Sequence, residues 1–273
     1  MRFAPGYMHT SSALPATAGC PPCEASAQPA RRRIGIVILH GKSGSPARQV
    51  AELASSLEQK GNLVANIEMP WSHRRHYDVS ASAAEKEIEA ALASLRAKGA
   101  EILFLAGHSQ GGAFAFHFCA GHAVDGVIAM APGGNVGSPN FRARLGESVA
   151  LARKLVAEGK GNEKTSLMDY EGTKGLFPVV CAPSDYLSWF DPEGAMNQMR
   201  AVQNVPRQVP VLYIAPKRDY PLLLQVKESM FNALPRHPLT KLYEPDSTHR
   251  DAPAASIEEI ARWISEVAEK IPS

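Results

Sequence analysis

The chain has 273 residues, of which 45% are hydrophobic and 21% are charged, an ordinary composition for a globular protein. Its 29 Lys and Arg residues nearly balance its 27 Asp and Glu residues, and the net charge of +2 gives no general attraction to nucleic acid or to membrane surfaces. The sequence contains no uninterrupted run of 18 apolar residues, so we expect no integral membrane segment.

The first segment, residues 1–33, is predicted to be a disordered leader because it is rich in Ala, Pro, Ser and Thr and has no helix or strand period. Cys20 and Cys23 lie within it, without the second ligand pair of a zinc site or the flanking elements of a redox motif. We interpret them as tail cysteines. A cytoplasmic location is favoured, and a periplasmic or secreted one would follow if the leader is a mis-started signal peptide.

From residue 34 onward, apolar runs of strand length alternate with stretches of helical periodicity. Such continuous runs are typical of parallel strands buried on both faces, and the alternation favours one sheet with right-handed crossovers. The predicted core comprises residues 34–132 and 207–273. The six predicted strands are residues 34–39, 63–67, 101–106, 126–131, 209–215 and 239–243.

Residues 133–206 interrupt this alternation and are too long to form a simple loop. They are predicted to form a helical cap or lid over the carboxyl edge of the sheet. Large aromatic side chains in this insertion, together with one from the loop at residues 70–78, either line a substrate pocket or form the core of the insertion. These side chains are Trp71, Tyr186, Trp189 and Phe190.

The segment Gly-His-Ser-Gln-Gly at residues 107–111 matches the pattern G-x-S-x-G between a predicted strand and a predicted helix. A sharp turn at Ser109 requires glycine two residues before and after it, where a Cβ would clash with the neighbouring elements. The turn raises the Ser109 hydroxyl above the sheet at the amino end of a helix, where partial positive charge favours a developing oxyanion. The pattern therefore predicts Ser109 as a nucleophile.

Over residues 34–270 the sequence resembles the α/β-hydrolase superfamily, in particular its esterase, lipase and lysophospholipase-like members. The resemblance is carried by residues 107–112, His40-Gly41, Asp219 and His249. It implies a three-layer α/β-hydrolase fold with a mostly parallel sheet of about six strands. It also implies that the nucleophile, the acid and the histidine follow one another in this order along the chain.

Candidates for the acid and the base occur in that order. Asp219 follows the predicted strand at residues 209–215, with Asp185 and Asp191 as weaker rivals, and His249 lies on the loop after the last strand. In this arrangement His249 accepts the Ser109 proton and Asp219 fixes the tautomer of His249. Three other histidines are interpreted as surface or turn residues: His108, His122 and His237.

Two backbone N–H groups are needed to bind the oxyanion. Gln110 follows the nucleophile directly, and Lys42 follows the His40-Gly41 pair, with Ser43 as the second choice. The segment Gly-Lys-Ser at residues 41–43 also resembles the end of a phosphate-binding loop. That motif requires glycine where this sequence has Ile36, so nucleotide binding is disfavoured.

The sequence thus predicts a serine hydrolase that cleaves a small-molecule carboxylic ester through an acyl-enzyme on Ser109. The same side chains would serve an acyl-thioesterase or an amidase or peptidase, so these alternatives stay open. A non-catalytic binding protein on a hydrolase fold is the alternative of another class, and the presence of all three candidate side chains argues against it. No cofactor, metal or nucleic-acid partner is implied, and the oligomeric state is not predicted.

Overall fold

The computed structural model describes residues 1–3, 6 and 32–271. The chain divides into two units, Met1–Arg31 and Arg32–Ser273, and all of the elements below belong to the second. The predicted leader therefore lies almost entirely outside the described residues, as do Cys20 and Cys23.

A six-stranded parallel sheet forms the centre of residues 32–271 and confirms the predicted sheet. Its strands are β1 (Ile34–Leu39), β2 (Leu63–Ile67), β3 (Ile102–His108), β4 (Gly126–Met130), β7 (Val211–Ile214) and β8 (Lys241–Tyr243). They are ordered β2-β1-β3-β4-β7-β8, and each neighbouring pair is parallel. Both faces of this sheet are covered, which is why a strand such as β1 is a continuous apolar run.

Helices cover both faces of the sheet and complete three layers. They are α1 (Ala51–Gln59), α2 (Ala81–Ala97), α3 (Gln110–Cys119), α4 (Pro139–Ala157), α5 (Pro183–Phe190), α6 (Gln198–Gln203), α7 (Pro221–Asn232), α8 (Ala252–Ala255) and α9 (Ile257–Lys270). Alternate residues of β1 enter separate cores, because side chains of a strand alternate between its faces. Ile36 and Ile38 are buried with α1 and α9, whereas Val37 and Leu39 are buried with α2 and α3.

The insertion at residues 133–206 is not entirely helical, which corrects the sequence-based prediction. It contains the antiparallel hairpin of β5 (Thr165–Glu171) and β6 (Gly175–Cys181) besides helices α4 to α6. Every second residue at the buried end of this hairpin is inaccessible to solvent, the period of a strand and not of a helix. Gly175, at φ +76°, ends the turn between the strands in a conformation that glycine adopts without strain.

The described residues contain neither a membrane-crossing helix nor a metal-binding cluster. None of the helices in residues 32–271 combines the length and the apolar character needed to cross a bilayer. Within the same part of the chain, no group of three or more His, Cys, Asp or Glu side chains could hold a metal ion.

Candidate active site

The turn that carries Ser109 joins the end of β3 to the start of α3. Ser109 has a φ of +54°, a value that residues other than glycine rarely adopt and that costs free energy. A Cβ at Gly107 would lie 2.2 Å from the carbonyl oxygen of Gly111, and a Cβ at Gly111 would lie 2.5 Å from that of Leu39. The predicted requirement for glycine at both positions is confirmed, because no side chain fits either place.

Ser109, His249 and Asp219 form a hydrogen-bonded row of side chains at the carboxyl edge of the sheet. The Nε2 atom of His249 lies 3.0 Å from Ser109 Oγ, and its Nδ1 atom lies 2.7 Å from Asp219 Oδ1. An ionised carboxylate only accepts hydrogen bonds, so the proton of neutral His249 is on Nδ1. Nε2 is then free to accept the Ser109 proton. The sequence-predicted nucleophile, base and acid are therefore brought together in the order that proton transfer requires.

An isolated parallel bridge between Arg218 and Thr248 positions the acid and the base. Asp219 and His249 are the residues that directly follow this bridged pair, so one backbone contact places both side chains. The ring of Tyr220 stacks on His249, with ring centroids 4.4 Å apart. Asp191, a weaker candidate for the acid, instead pairs with Arg153 at 2.6 Å.

His108 is buried, so its interpretation as a surface or turn residue is wrong. Its Nε2 atom lies 2.8 Å from the carbonyl oxygen of His249. Burial, and secondarily repulsion from His249, lowers the pKa of His108 to about 3. The ring is therefore neutral, and its Nε2–H donates to the His249 carbonyl oxygen. The other two histidines of this interpretation, His122 and His237, are partly exposed.

The loop after β1 is held in place by His40, which is 1% exposed. Its Nδ1–H donates to the carbonyl oxygen of Gly41 at 2.8 Å, and its Nε2 accepts from the backbone N–H of Met69 at 3.0 Å. The indole N–H of Trp71 donates to the His40 carbonyl oxygen at 2.8 Å. Burial lowers the pKa of His40, which keeps the ring neutral and this pattern of donors and acceptors intact.

The two candidate oxyanion donors, Lys42 on this loop and Gln110 at the amino end of α3, both line the same cavity as Ser109. Neither the backbone N–H of Lys42 nor that of Gln110 has a backbone acceptor among the described residues. The N–H of Ser43, the second choice, is already bonded to the carbonyl oxygen of Trp71 at 3.0 Å. The geometry therefore favours Lys42 over Ser43, and the oxyanion role of Lys42 and Gln110 stays a prediction.

A cavity of about 570 Å³ opens beside Ser109 and His249. One part of its lining is apolar and comes from α7, and other parts come from the loop after β1 and the turn of the β5–β6 hairpin. The apolar wall consists of Leu222, Leu223, Val226 and Met230. Leu222 is 47% exposed, so its apolar surface is accessible to a molecule in the cavity.

The four aromatic side chains considered for the pocket do not line this cavity. Trp71, Tyr186, Trp189 and Phe190 are at most 2% exposed. The rings of Trp71 and Trp189 are 5.7 Å apart, and those of Tyr186 and Phe190 are 4.5 Å apart. The polar groups of Trp71, Tyr186 and Trp189 donate to backbone carbonyl oxygens within the protein. Of the two interpretations, the packed core is therefore the one that the structure supports.

Two further side chains reach the candidate oxyanion residues although the sequence did not single them out. Asp169 of β5 contacts the side chain of Lys42, and Tyr77 contacts both Asp169 and Gln110. Asp169 occupies a buried position in a strand that the sequence analysis left unassigned. The glycines at residues 172 and 175 indicate a turn between two strands, and recognising this hairpin would have revealed that Asp169 lies on the apolar face of its first strand.

Solved structures with the same fold include lipases and esterases of low sequence identity. The monoacylglycerol lipase of Paleococcus ferrophilus is 20% identical over 86% of this chain and 94% of its own, with a TM-score of 0.58. A thermostable carboxyl esterase from Bacillus coagulans is 17% identical over 87% of this chain and 91% of its own, with a TM-score of 0.59. The alpha/beta hydrolase GrgF from Penicillium sp. sh18 is 16% identical over 88% of this chain and 91% of its own, with a TM-score of 0.63.

No curated protein sequence matches the chain significantly. A model of the alpha/beta hydrolase family, in contrast, matches residues 36–263, which include most of β1 and all of Ser109, Asp219 and His249. Because this match spans most of the sequence, the chain belongs to the alpha/beta hydrolase family.

Proposed function

We propose that this protein hydrolyses carboxylic esters through an acyl-enzyme on Ser109. The observation that carries the proposal is the row from Ser109 through His249 to Asp219, with distances of 3.0 and 2.7 Å, at the edge of a cavity large enough for a small molecule. The named function of several similar structures agrees with it, since these are a monoacylglycerol lipase and a carboxyl esterase.

The reaction begins when Ser109 Oγ attacks the ester carbonyl carbon while His249 Nε2 takes the hydroxyl proton. The carbonyl oxygen becomes negative and accepts hydrogen bonds from the backbone N–H groups of Gln110 and Lys42. His249 then returns the proton to the alcohol that leaves, and Asp219 stabilises the imidazolium in between. His249 then takes a proton from water, which attacks the acyl carbon. The bond from that carbon to Ser109 Oγ breaks, His249 returns the proton to Ser109 Oγ, and the carboxylic acid is released.

The apolar wall of α7 supports an ester with an aliphatic portion. A chain laid against Leu222 and Val226 would remove their exposed surface from water, which contributes about 0.8 kcal/mol for each buried methylene group. The polar groups on the other side of the cavity would contact the remaining part of the substrate. Thioesters and amides would use the same proton transfers, so they remain alternative substrates.

A fluorophosphonate probe tests the nucleophile directly. Native protein is expected to be labelled, and Ser109→Ala is expected to resist labelling, since the probe reacts with an activated serine. Absence of labelling of the native protein, or equal labelling of the variant, would refute catalysis and favour a non-catalytic binding protein.

A substrate panel then tests the bond that is cleaved. We expect kcat/KM for p-nitrophenyl esters to exceed that for acyl-thioesters and anilides of the same acyl group. Thioesters hydrolysed far faster than the matched esters would overturn the assignment to esters and favour a thioesterase.

A further inference from the structure

A buried chain of hydrogen bonds joins the side chains of the two candidate oxyanion residues. Lys42 Nζ donates to Asp169 Oδ1 at 2.5 Å, and the hydroxyl of Tyr77 donates to Asp169 Oδ2 at 2.9 Å. The amide Nε2 of Gln110 donates to the hydroxyl oxygen of Tyr77 at 3.2 Å. The backbone N–H of Tyr170 also donates to Asp169 Oδ1, at 2.6 Å. Three of these four donors bond to the Asp169 carboxylate, and the Gln110 amide is linked to it through the Tyr77 hydroxyl.

This arrangement is costly as a source of stability alone. Asp169 is fully buried, and Tyr77 and Gln110 are at most 3% exposed. Replacing a buried ion pair with apolar side chains often leaves a protein equally stable. Removing the two charges from water costs several kcal/mol for each ion, and the attraction between them only about offsets this cost. The pair is more valuable for fixing geometry, since Lys42 Nζ is also held by the carbonyl oxygen of Tyr170 at 3.0 Å.

The backbone around Tyr77 carries strain that serves the same contact. His76 and Tyr77 have φ values of +49° and +58°, which side-chain-bearing residues rarely adopt. Such strain persists where the surrounding structure holds it and concentrates at functional sites. Burial, and secondarily the charge of Asp169, raises the pKa of Tyr77 well above 10, so its hydroxyl remains a donor.

We propose that Asp169 is a positioning residue for the oxyanion hole. It holds the Lys42 side chain directly and the Gln110 side chain through Tyr77, and thereby fixes the backbone N–H groups of both residues. The β5–β6 hairpin, which contributes Asp169, is then a fixed part of the catalytic site and not a lid that opens. This inference rests on the proposed ester hydrolysis.

Tyr77→Phe is the most selective test, because it removes one hydroxyl and leaves the Lys42–Asp169 pair in place. Tyr186→Phe is the matched control: Tyr186 is also buried, and its hydroxyl donates to the carbonyl oxygen of Met168, next to Asp169. The measurements are kcat and KM for a p-nitrophenyl ester, the Kd of an alkylboronic acid that forms a tetrahedral adduct with Ser109, and the urea midpoint.

We expect Tyr77→Phe to lower kcat about 10- to 100-fold and to weaken boronic-acid binding by a similar factor, with KM within about twofold, because the donors act only on the tetrahedral oxyanion. Tyr186→Phe is expected to shift the urea midpoint comparably and to leave kcat within about twofold. Asp169→Asn, which keeps the shape but removes the charge, is expected to lower kcat at least as much as Tyr77→Phe.

Three outcomes overturn the inference. The first is a kcat for Tyr77→Phe within twofold of the native value, and the second is an equal loss in Tyr186→Phe, which would indicate general loosening of the hairpin. The third is a lower kcat with unchanged boronic-acid affinity. Native protein that neither hydrolyses esters nor reacts with the fluorophosphonate would instead refute the proposed function itself, so the two failures are distinguishable.

Discussion

Replacing His108 with glutamine is expected to make the free energy of unfolding less dependent on pH. In the folded protein His108 is neutral down to a pH of about 3, whereas in the unfolded chain its pKa is 6.5. Between these values the unfolded state binds more protons, so the free energy of unfolding falls as the pH is lowered. Glutamine removes this titration, and its Nε2–H reaches about as far as that of histidine toward the His249 carbonyl oxygen.

The size of the effect follows from the two pKa values. Preferential protonation of the unfolded chain lowers the free energy of unfolding by about 2 kcal/mol at pH 5 and by only about 0.2 kcal/mol at pH 7. Almost no discount for solvent screening applies, because His108 is 3% exposed. The native protein should therefore lose about 2 kcal/mol more than His108→Gln between these two pH values.

Urea denaturation of both proteins at pH 7 and pH 5, followed by circular dichroism, measures this difference. His40, whose pKa is also lowered by burial, is present in both proteins and cancels in the comparison. An equal loss of stability in the two proteins would refute the reasoning, since it would mean that His108 is protonated as easily in the folded protein as in the unfolded chain.

Three further changes have expected outcomes. Gly107→Ala should lower the free energy of unfolding, measured in urea, by at least about 2 kcal/mol, because its Cβ would lie 2.2 Å from a carbonyl oxygen. Its control, Gly146→Ala, has open space around the new Cβ on α4 and should raise the free energy of unfolding by up to about 1 kcal/mol. The reverse order of stabilities would contradict the packing argument. Leu222→Asp should raise KM for an octanoate ester about tenfold or more while sparing the acetate ester, and equal effects on both esters would exclude α7 as the acyl wall. Asp219→Asn should lower kcat about 10³- to 10⁴-fold, because it no longer fixes the tautomer of His249, and a kcat within tenfold of native would refute its role as the acid.

The sheet could be predicted because most of its strands are short apolar runs bounded by turn residues. The segment Ile34–Leu39, for example, has no alternation, which is typical of a strand covered on both faces. The β5–β6 hairpin could not be recognised in the same way. Its exposed end carries polar and charged residues, and its buried face includes the acidic Asp169, which interrupts the apolar period.

The parts of the candidate site that could be predicted are the residues whose position follows from the order of strands along the chain. Asp219 and His249 follow the ends of parallel strands, and such ends meet at one edge of a sheet. The contact between His108 and the His249 carbonyl oxygen joins residues 141 positions apart. It depends on the rotamer and tautomer of a buried ring, and no local pattern reports either. The contact from Lys42 to Asp169 joins residues 127 positions apart, and no local pattern predicts it either.

The bridge between Arg218 and Thr248 makes the acid and the base a single mechanical unit. Because Asp219 and His249 each directly follow a bridged residue, we expect a substitution that displaces either loop to displace both side chains. The Asp219–His249 contact and the His249–Ser109 contact should then be lost together and not one at a time.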